Sequence, residues 1–230
     1  MSRTKANAEC VYCGSRKDLT KDHVPPKCLF ATPPQNAITV PCCRRCNEDA
    51  SKDDEYFRAN LAGRRDVGDH PEASKVMEKA FRALHYPEAK GLKRSFLNNV
   101  DFFYFENELG FIEPGAAYSP DLERLSRVAS RIVKGLFWHQ TRERLPSYCE
   151  VDAAVVDQLR HFDEQLMNMC AEVLKEEPIT LGNDVFNCWN KTTPEDKFTS
   201  LWILQFYSNI HFLCITMNPL ANPNLDTTPQ

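Results

Sequence analysis

The chain has 230 residues, 42% of them hydrophobic and 26% charged, which suits one domain of moderate size or a small module joined to a larger one. A net charge of −4 argues against a protein that coats nucleic acid through bulk charge, although it leaves room for a local basic groove. No apolar run approaches the roughly 18 residues of a spanning helix, and the start, MSRTKANAEC, lacks the apolar core of a secretory signal, so the expected address is the cytoplasm with no membrane contact.

Residues 1–66 are rich in Cys, Pro and charge, the composition of a small fold that a metal must hold together. Cys10-Val11-Tyr12-Cys13 and Cys43-Arg44-Arg45-Cys46 are two C-x-x-C units flanking residues 14–42. Two-residue spacing lets one tight turn present both sulfurs, and four thiolates suit tetrahedral Zn²⁺. Gly14 supplies the backbone freedom that the first turn needs. In a reducing compartment such pairs point to metal rather than to disulfides. Cys42 adjoins the second pair, but only Cys43 has the right spacing to Cys46. Cys28, Cys149, Cys170, Cys188 and Cys214 stand singly, mostly in apolar contexts, and read as small buried hydrophobes.

Residues 37–40 (AITV) are β-prone, and residues 47–61 read as a helix with Ala50, Phe57 and Leu61 on one stripe. Arg44, Arg45, Lys52, Arg58, Arg64 and Arg65 follow the cysteines closely, interleaved with Glu48, Asp49, Asp53, Asp54 and Glu55. On charge alone this is equally a phosphate track or a solvated helix face. The VGDHP segment at 67–71 marks a boundary, and residues 72–85 predict a helix with Val76, Ala80, Phe81 and Leu84 inward. Residues 102–112 are aromatic and β-prone, with a turn expected at 106–109. Pro120 as first helical residue, with Asp121 and Glu123 in the first turn, predicts a helix to about residue 144 that buries Leu125, Val128, Ile132, Leu136 and Phe137. A second long helix is predicted over 151–175, stopped before Pro178. Residues 184–189 and 200–217 are β-prone, the latter turning at Ser208–Asn209, and residues 218–230 read as loop. The aromatic segments FFYF, LFWH and LWILQFY are taken as core, and His70, His85, His139, His161 and His211 as structural. Residues 67–230 are thus expected to form a larger α+β domain of long helices beside a small antiparallel sheet, through which a second copy or a protein partner would be met.

Between the cysteine pairs stand Lys21-Asp22-His23-Val24-Pro25-Pro26-Lys27 and then Asn36, and Asn47 directly follows Cys46. The order C-x-x-C, Asp-His, Asn, C-x-x-C-Asn resembles the zinc-stapled HNH endonucleases over about residues 8–60. That resemblance implies a ββα-metal, treble-clef-like module over residues 1–66 with a structural Zn²⁺ on Cys10, Cys13, Cys43 and Cys46. It implies His23 as the general base, since an imidazole can take a proton from water near neutral pH. Asp22 would place a carboxylate on a hard divalent ion, Mg²⁺ or Mn²⁺. Asn36 would fix the His23 ring or its loop, and Asn47 would be the second ligand to that ion. Many members carry His at that last position, and Asn is a weaker ligand. Helical spacing puts Asn47, Ser51, Asp54 and Arg58 on one face, so Asp54 could reach the ion or its water. Arg58 or Lys52 could hold the scissile phosphate, with Arg44 and Arg45 lining the nucleic acid. Neighbouring strand residues point to opposite faces, so Asp22 and His23 need a strand end or a bulge to converge. Asn47 also suits a helix N-cap and Asn36 a turn. The implied activity is metal-assisted hydrolysis of a phosphodiester, with DNA the expected substrate. The alternative is a zinc module of the treble-clef type that binds nucleic acid or protein without cleaving it.

Overall fold

Strands Leu19–Val24 (β1) and Ile38–Cys43 (β2) pair antiparallel in a regular register that sets Asp22 opposite Val40 and His23 opposite Thr39. Strand alternation turns Asp22, Val24, Ile38, Val40 and Cys42 inward, while Lys21, His23, Thr39 and Pro41 lie on the more exposed face. The computed structural model describes residues 8–84, 90–107, 109–158 and 163–221. Helix Arg44–Ala62 (α1) leaves β2 without a loop. Its N-cap is Cys43, whose sulfur accepts from the Cys46 amide, so Asn47 lies inside the first turns and is not the cap. The extended backbone of Cys43 and its sulfur start the helix three residues earlier than the apolar stripe suggests.

Helix Pro71–Leu84 (α2) begins with proline, and His70 Nδ1 accepts from the amides of Glu72 and Ala73. Val76 and Ala80 are buried there, but Phe81 is exposed. Helix Lys90–Leu97 (α3), which the periodicity does not announce, leads to a second hairpin, Val100–Glu106 (β3) and Ile112–Tyr118 (β4). The FFYF segment is not core: Phe102 is 80% and Tyr104 78% exposed. Helix Leu122–Thr141 (α4) is capped by Asp121, which accepts from the Arg124 amide; Pro120 stands outside it, and Arg142 closes it in the left-handed conformation.

The long helix expected over 151–175 is instead two elements. Strand Glu150–Val155 (β5) pairs with the last strand of the chain, and only Glu164–Val173 (α5) is an α-helix, started by the Asp163 cap. An edge of the sheet wins residues 150–155 because Val151 and Val155 are β-branched and their ladder partners are in place. Strands Ile179–Leu181 (β6), Phe186–Thr192 (β7), Ser200–Phe206 (β8) and Ile210–Met217 (β9) complete an antiparallel sheet of order β5-β9-β8-β7-β6. The β8–β9 turn takes in Tyr207, Ser208 and Asn209 between the last paired residues Phe206 and Ile210, so it includes the expected Ser208–Asn209, with Tyr207 and Ser208 at positive φ.

The protein is therefore mixed α+β with small antiparallel sheets. One apolar cluster takes in Val24, Ile38 and Val40 of the first hairpin, Phe57 and Leu61 of α1, the inner stripe of α4, and Phe206 and Phe212 of the sheet. Its stripe on α4 is the expected one, Leu125, Val128, Ile132, Leu136 and Phe137. Gly135 permits the closest approach: a Cβ there would lie 2.5 Å from Val24 Cγ2. That contact seats the β1–β2 hairpin directly on α4. Cys149, Cys188 and Cys214 are buried as expected, while Cys28 and Cys170 are only partly so. His85 and His161 lie outside the described residues, as does the tail from 222 onward.

Candidate functional site

The turn before β1 and the start of α1 bring four sulfurs together. The ligand atoms of Cys10, Cys13, Cys43 and Cys46 all lie within 4.8 Å of one another, a group that could hold a metal ion such as zinc. Cys13 Sγ and Cys43 Sγ are 3.7 Å apart. Zn–S bonds of about 2.3 Å in a tetrahedron put sulfurs about 3.8 Å apart, so the spacing fits zinc and is far too long for a disulfide. Gly14 at φ +75° closes the first turn, its amide donating to the Cys10 carbonyl at 2.8 Å. Burial opposes ionisation of Cys10, but amide hydrogen bonds from Cys43, Cys13 and Tyr12 outweigh it and hold the thiol at about 7, part of the way to the thiolate a metal needs. Cys42 is excluded by its strand position. It faces inward, its sulfur donates to the Cys43 carbonyl, and burial pushes its thiol up to about 12.

Asp22 lies on the same inward face, 8% exposed. Its Oδ2 accepts from Tyr12 Oη and from Arg131 Nη2, both at 2.7 Å. Arg131 comes from the middle of α4, stacks over the Tyr12 ring at 4.6 Å, and also reaches Asp54 Oδ2 at 3.5 Å. The carboxylates of Asp22 and Asp54 therefore share a guanidinium. Burial works against the Arg131 charge, and Tyr12, Asp22 and Asp54 more than restore it. Burial likewise raises Asp54 to about 6 against the pull of Arg131, and its Oδ1 is buried without a hydrogen-bond partner. Next along α1, Asp53 is gripped by Arg124 and Arg127. The helical spacing of Arg124, Arg127 and Arg131 is visible in the sequence, but their partners lie 71 to 109 residues away, so no local signal named them.

Asn47 sits near this face, its amide donating to Thr20 Oγ1 at 3.4 Å. Asn47 Oδ1 and Asp22 Oδ1 have no partner among the described residues, so these two could offer oxygens to a divalent ion; Asp54 has one oxygen on Arg131 and one sealed from solvent. Among the described residues, the cysteines are the one group of three or more His, Cys, Asp or Glu close enough to share an ion. No strand bulge brings Asp22 and His23 together. His23 is on the opposite face, partly exposed, and its side chain has no hydrogen bond or ion pair among the described residues.

The remaining candidates are separated from His23. Asn36 does not touch the imidazole; its amide donates to the Thr180 carbonyl at 3.0 Å and ties the hairpin loop to β6. Arg44 and Arg45 make exposed i, i+4 contacts to Glu48 and Asp49, and Lys52 is exposed with its carbonyl bound by Arg124. Arg58 is turned inward, its Nε buried and without a hydrogen bond among the described residues. Of the other histidines, His70 caps α2, His211 contacts Gln205, and His139 lines a cleft beside Thr39. No helix among the described residues is long and apolar enough to cross a membrane. Comparison with known protein families, with curated proteins and with solved structures gives no match.

Proposed function

We propose that the chain is a metal-dependent endonuclease of the HNH type, acting on DNA, whose residues 8–62 are a treble-clef-like ββα-metal module. The observation that carries this reading is the order of parts: a C-x-x-C turn, the β1–β2 hairpin, and α1 with the second C-x-x-C at its start, all anchored on one four-sulfur group. A hairpin with a helix across it has too little apolar area to hold its own shape, and a closed Cys₄ zinc site supplies the difference. Such a site is coordinatively saturated, so chemistry falls to the side chains that it positions.

His23 is the acid–base residue. Its ring stands on the solvent face of a strand held straight by six cross-strand pairs, with neither nitrogen committed to a described neighbour. It can therefore accept a proton from water in line with a phosphodiester and release it afterwards. Asp22 and Asn47 would be the residues to hold a divalent ion, Mg²⁺ or Mn²⁺, which would supply charge stabilisation to a phosphate. They lie on the hairpin face opposite His23, so this ion and the imidazole serve one phosphodiester only where it crosses the edge of the hairpin. Tyr12 and Arg131 fix the Asp22 carboxylate. Plasmid nicking with Mg²⁺ or Mn²⁺ tests the proposal. Wild type should nick, and His23→Ala should lose at least two orders of magnitude in rate; equal rates for the two sink it.

One observation favours a second reading, a zinc module that binds nucleic acid or protein without cleaving. Arg131 already neutralises Asp22, where a catalytic ion would otherwise bring the positive charge. On this reading zinc is retained and neither wild type nor His23→Ala nicks the plasmid.

A further inference from the structure

Of the basic residues on α1 expected to grip the substrate, Lys52 is exposed with no ion pair among the described residues, and the other three are paired or turned inward. Arg44 and Arg45 face glutamate and aspartate one turn on, and Arg58 points into the protein. A phosphodiester held against His23 needs a cation on the other face of the hairpin, the one that carries His23 and Thr39. The last turn of α4 passes along that side. There, residues 36–39, His139 of α4, Arg142 at its C-cap, and β6 enclose an open cleft of about 420 Å³. Ala37, Ile38 and Leu181 line both this cleft and the small pit beside His23, so the two depressions adjoin.

Arg142 is the fixed charge of the cleft. Its guanidinium rests over the Trp138 ring at 5.0 Å, and it forms no ion pair among the described residues. The carboxylate next to it in sequence, Glu143, is taken by Lys197. Stacking leaves the in-plane N–H groups of a guanidinium free for two oxygens of one phosphate. Thr39 and His139 line the same cleft. Burial and the Arg142 charge lower the pKa of His139, so it takes part as a neutral N–H donor.

We propose that Arg142, His139 and Thr39 form a phosphate-binding subsite for the nucleic-acid backbone, holding a phosphate next to the one that faces His23. The subsite gives the proposed nuclease its grip on substrate, and in that sense it rests on the reading above; its function as a binding site does not depend on cleavage.

The test is binding of a fluorescein-labelled 20-base-pair DNA duplex, followed by anisotropy over a salt series with the zinc retained and no Mg²⁺ or Mn²⁺ added. Arg142→Gln should weaken binding by about tenfold and lower the slope of log K against log salt by about one. His139→Gln should weaken binding with little change in slope. Lys175→Gln, which removes one positive charge from beyond α5, should leave both unchanged. Far-UV circular dichroism and zinc content establish that each variant is folded. Arg142→Gln and His139→Gln proteins that bind with wild-type affinity and slope overturn the subsite, whether or not wild type nicks plasmid. A wild type that binds in this way but does not nick leaves the subsite standing and overturns the nuclease. A wild type that does not bind the duplex overturns the subsite by itself.

Discussion

Among the described residues, two two-stranded hairpins stand outside the five-stranded sheet, and they are opposites. β1–β2 has a polar or sulfur-bearing residue at seven of its twelve positions, yet one of its faces is sealed: Val24, Ile38, Val40 and Cys42 are each at most 6% exposed. β3–β4 is rich in aromatics, yet it bares Phe102, Tyr104 and Ile112 on one face and leaves Phe103 and Phe105 nearly half exposed on the other. A lone hairpin is marginal in water, so each depends on what adjoins it. β1–β2 has a four-sulfur group at one end, Gly135 of α4 against Val24 at the other, and Arg131 tying Asp22 to α1 between them. β3–β4 has its ladder, a short turn and, at its base, the Tyr118 hydroxyl hydrogen-bonded to that of Tyr56 in α1 at 2.6 Å. Burial here follows the neighbours available to a strand more than the hydrophobicity of the strand itself.

Removing the proposed zinc should break this contrast most completely. With zinc stripped by a chelator, or with Cys43→Ser, the β1–β2 hairpin loses the constraint that offsets its small apolar area, a loss that approaches on the order of 10 kcal/mol in isolated zinc modules. Amide exchange in β1, β2 and the first turns of α1 should rise to that of an unfolded chain, and Tm should fall further than for any other change proposed here. Exchange in β3–β4 should not respond. A metal-free protein that keeps slow exchange in β1 would mean that α4 alone holds the hairpin.

The next effect comes from the ion-pair system. Arg131→Ala leaves Asp22 and Asp54 without their shared guanidinium in a partly closed site, and stripping one partner from such a group costs about 3–5 kcal/mol. Urea unfolding of Arg131→Ala against wild type measures it. A loss under 1 kcal/mol would mean that the network is ornamental and that sulfur and Gly135 carry the seam.

Asp54 gives a smaller effect with a defined sign. Burial raises its carboxyl to about 6 from a reference of 3.8, so the folded chain holds that proton more tightly than the unfolded chain. Its contribution is complete below about pH 4 and is lost as pH rises through 6, at most on the order of 3 kcal/mol. Asp53 behaves in the opposite way. Burial pushes it up, but Arg127 and Arg124 pull it below its usual range, so its stabilisation exists at neutral pH and is lost on acidification. Asp54→Asn should therefore flatten the decline in stability between pH 4 and 6 and leave the acid limb intact. An unchanged slope across that window would assign the decline to another group.

What could be read from the sequence was what local spacing fixes. Both C-x-x-C turns, most of α1 and the stripe of α4 follow from spacings of three and four residues, and β2 from the β-prone run at 37–40, whereas β1 entered only through the family resemblance. The guanidinium on Asp22 did not follow, because Arg131 is 109 residues away and is an ordinary basic residue on an amphipathic helix. Nor did the subdivision of 151–175: the apolar spacing there is compatible with a helix, and only the free edge of β9 makes residues 150–155 a strand. The site shows the same division. Spacing alone groups Cys10, Cys13, Cys43 and Cys46, and the fold brings their sulfurs within 4.8 Å of one another, whereas whether Asn36 reaches His23 depends on Thr180, which claims its amide.

The smallest effect tests the other half of the contrast. If β3–β4 has nothing over Phe102 and Tyr104, the double substitution Phe102→Ser with Tyr104→Ser removes almost no buried area from the folded chain. Both side chains are about four-fifths exposed, at 80% and 78%, so the expected change in unfolding free energy is within about 0.5 kcal/mol. The fall in β-propensity from aromatic to serine supplies a few tenths of that and should appear as faster exchange within β3 alone. Urea unfolding at low and high protein concentration is the measurement. A loss above 1 kcal/mol that grows with concentration would show that these rings are covered in solution by another copy of the chain. The two hairpins would then differ only in whether the cover comes from within the chain or from outside it.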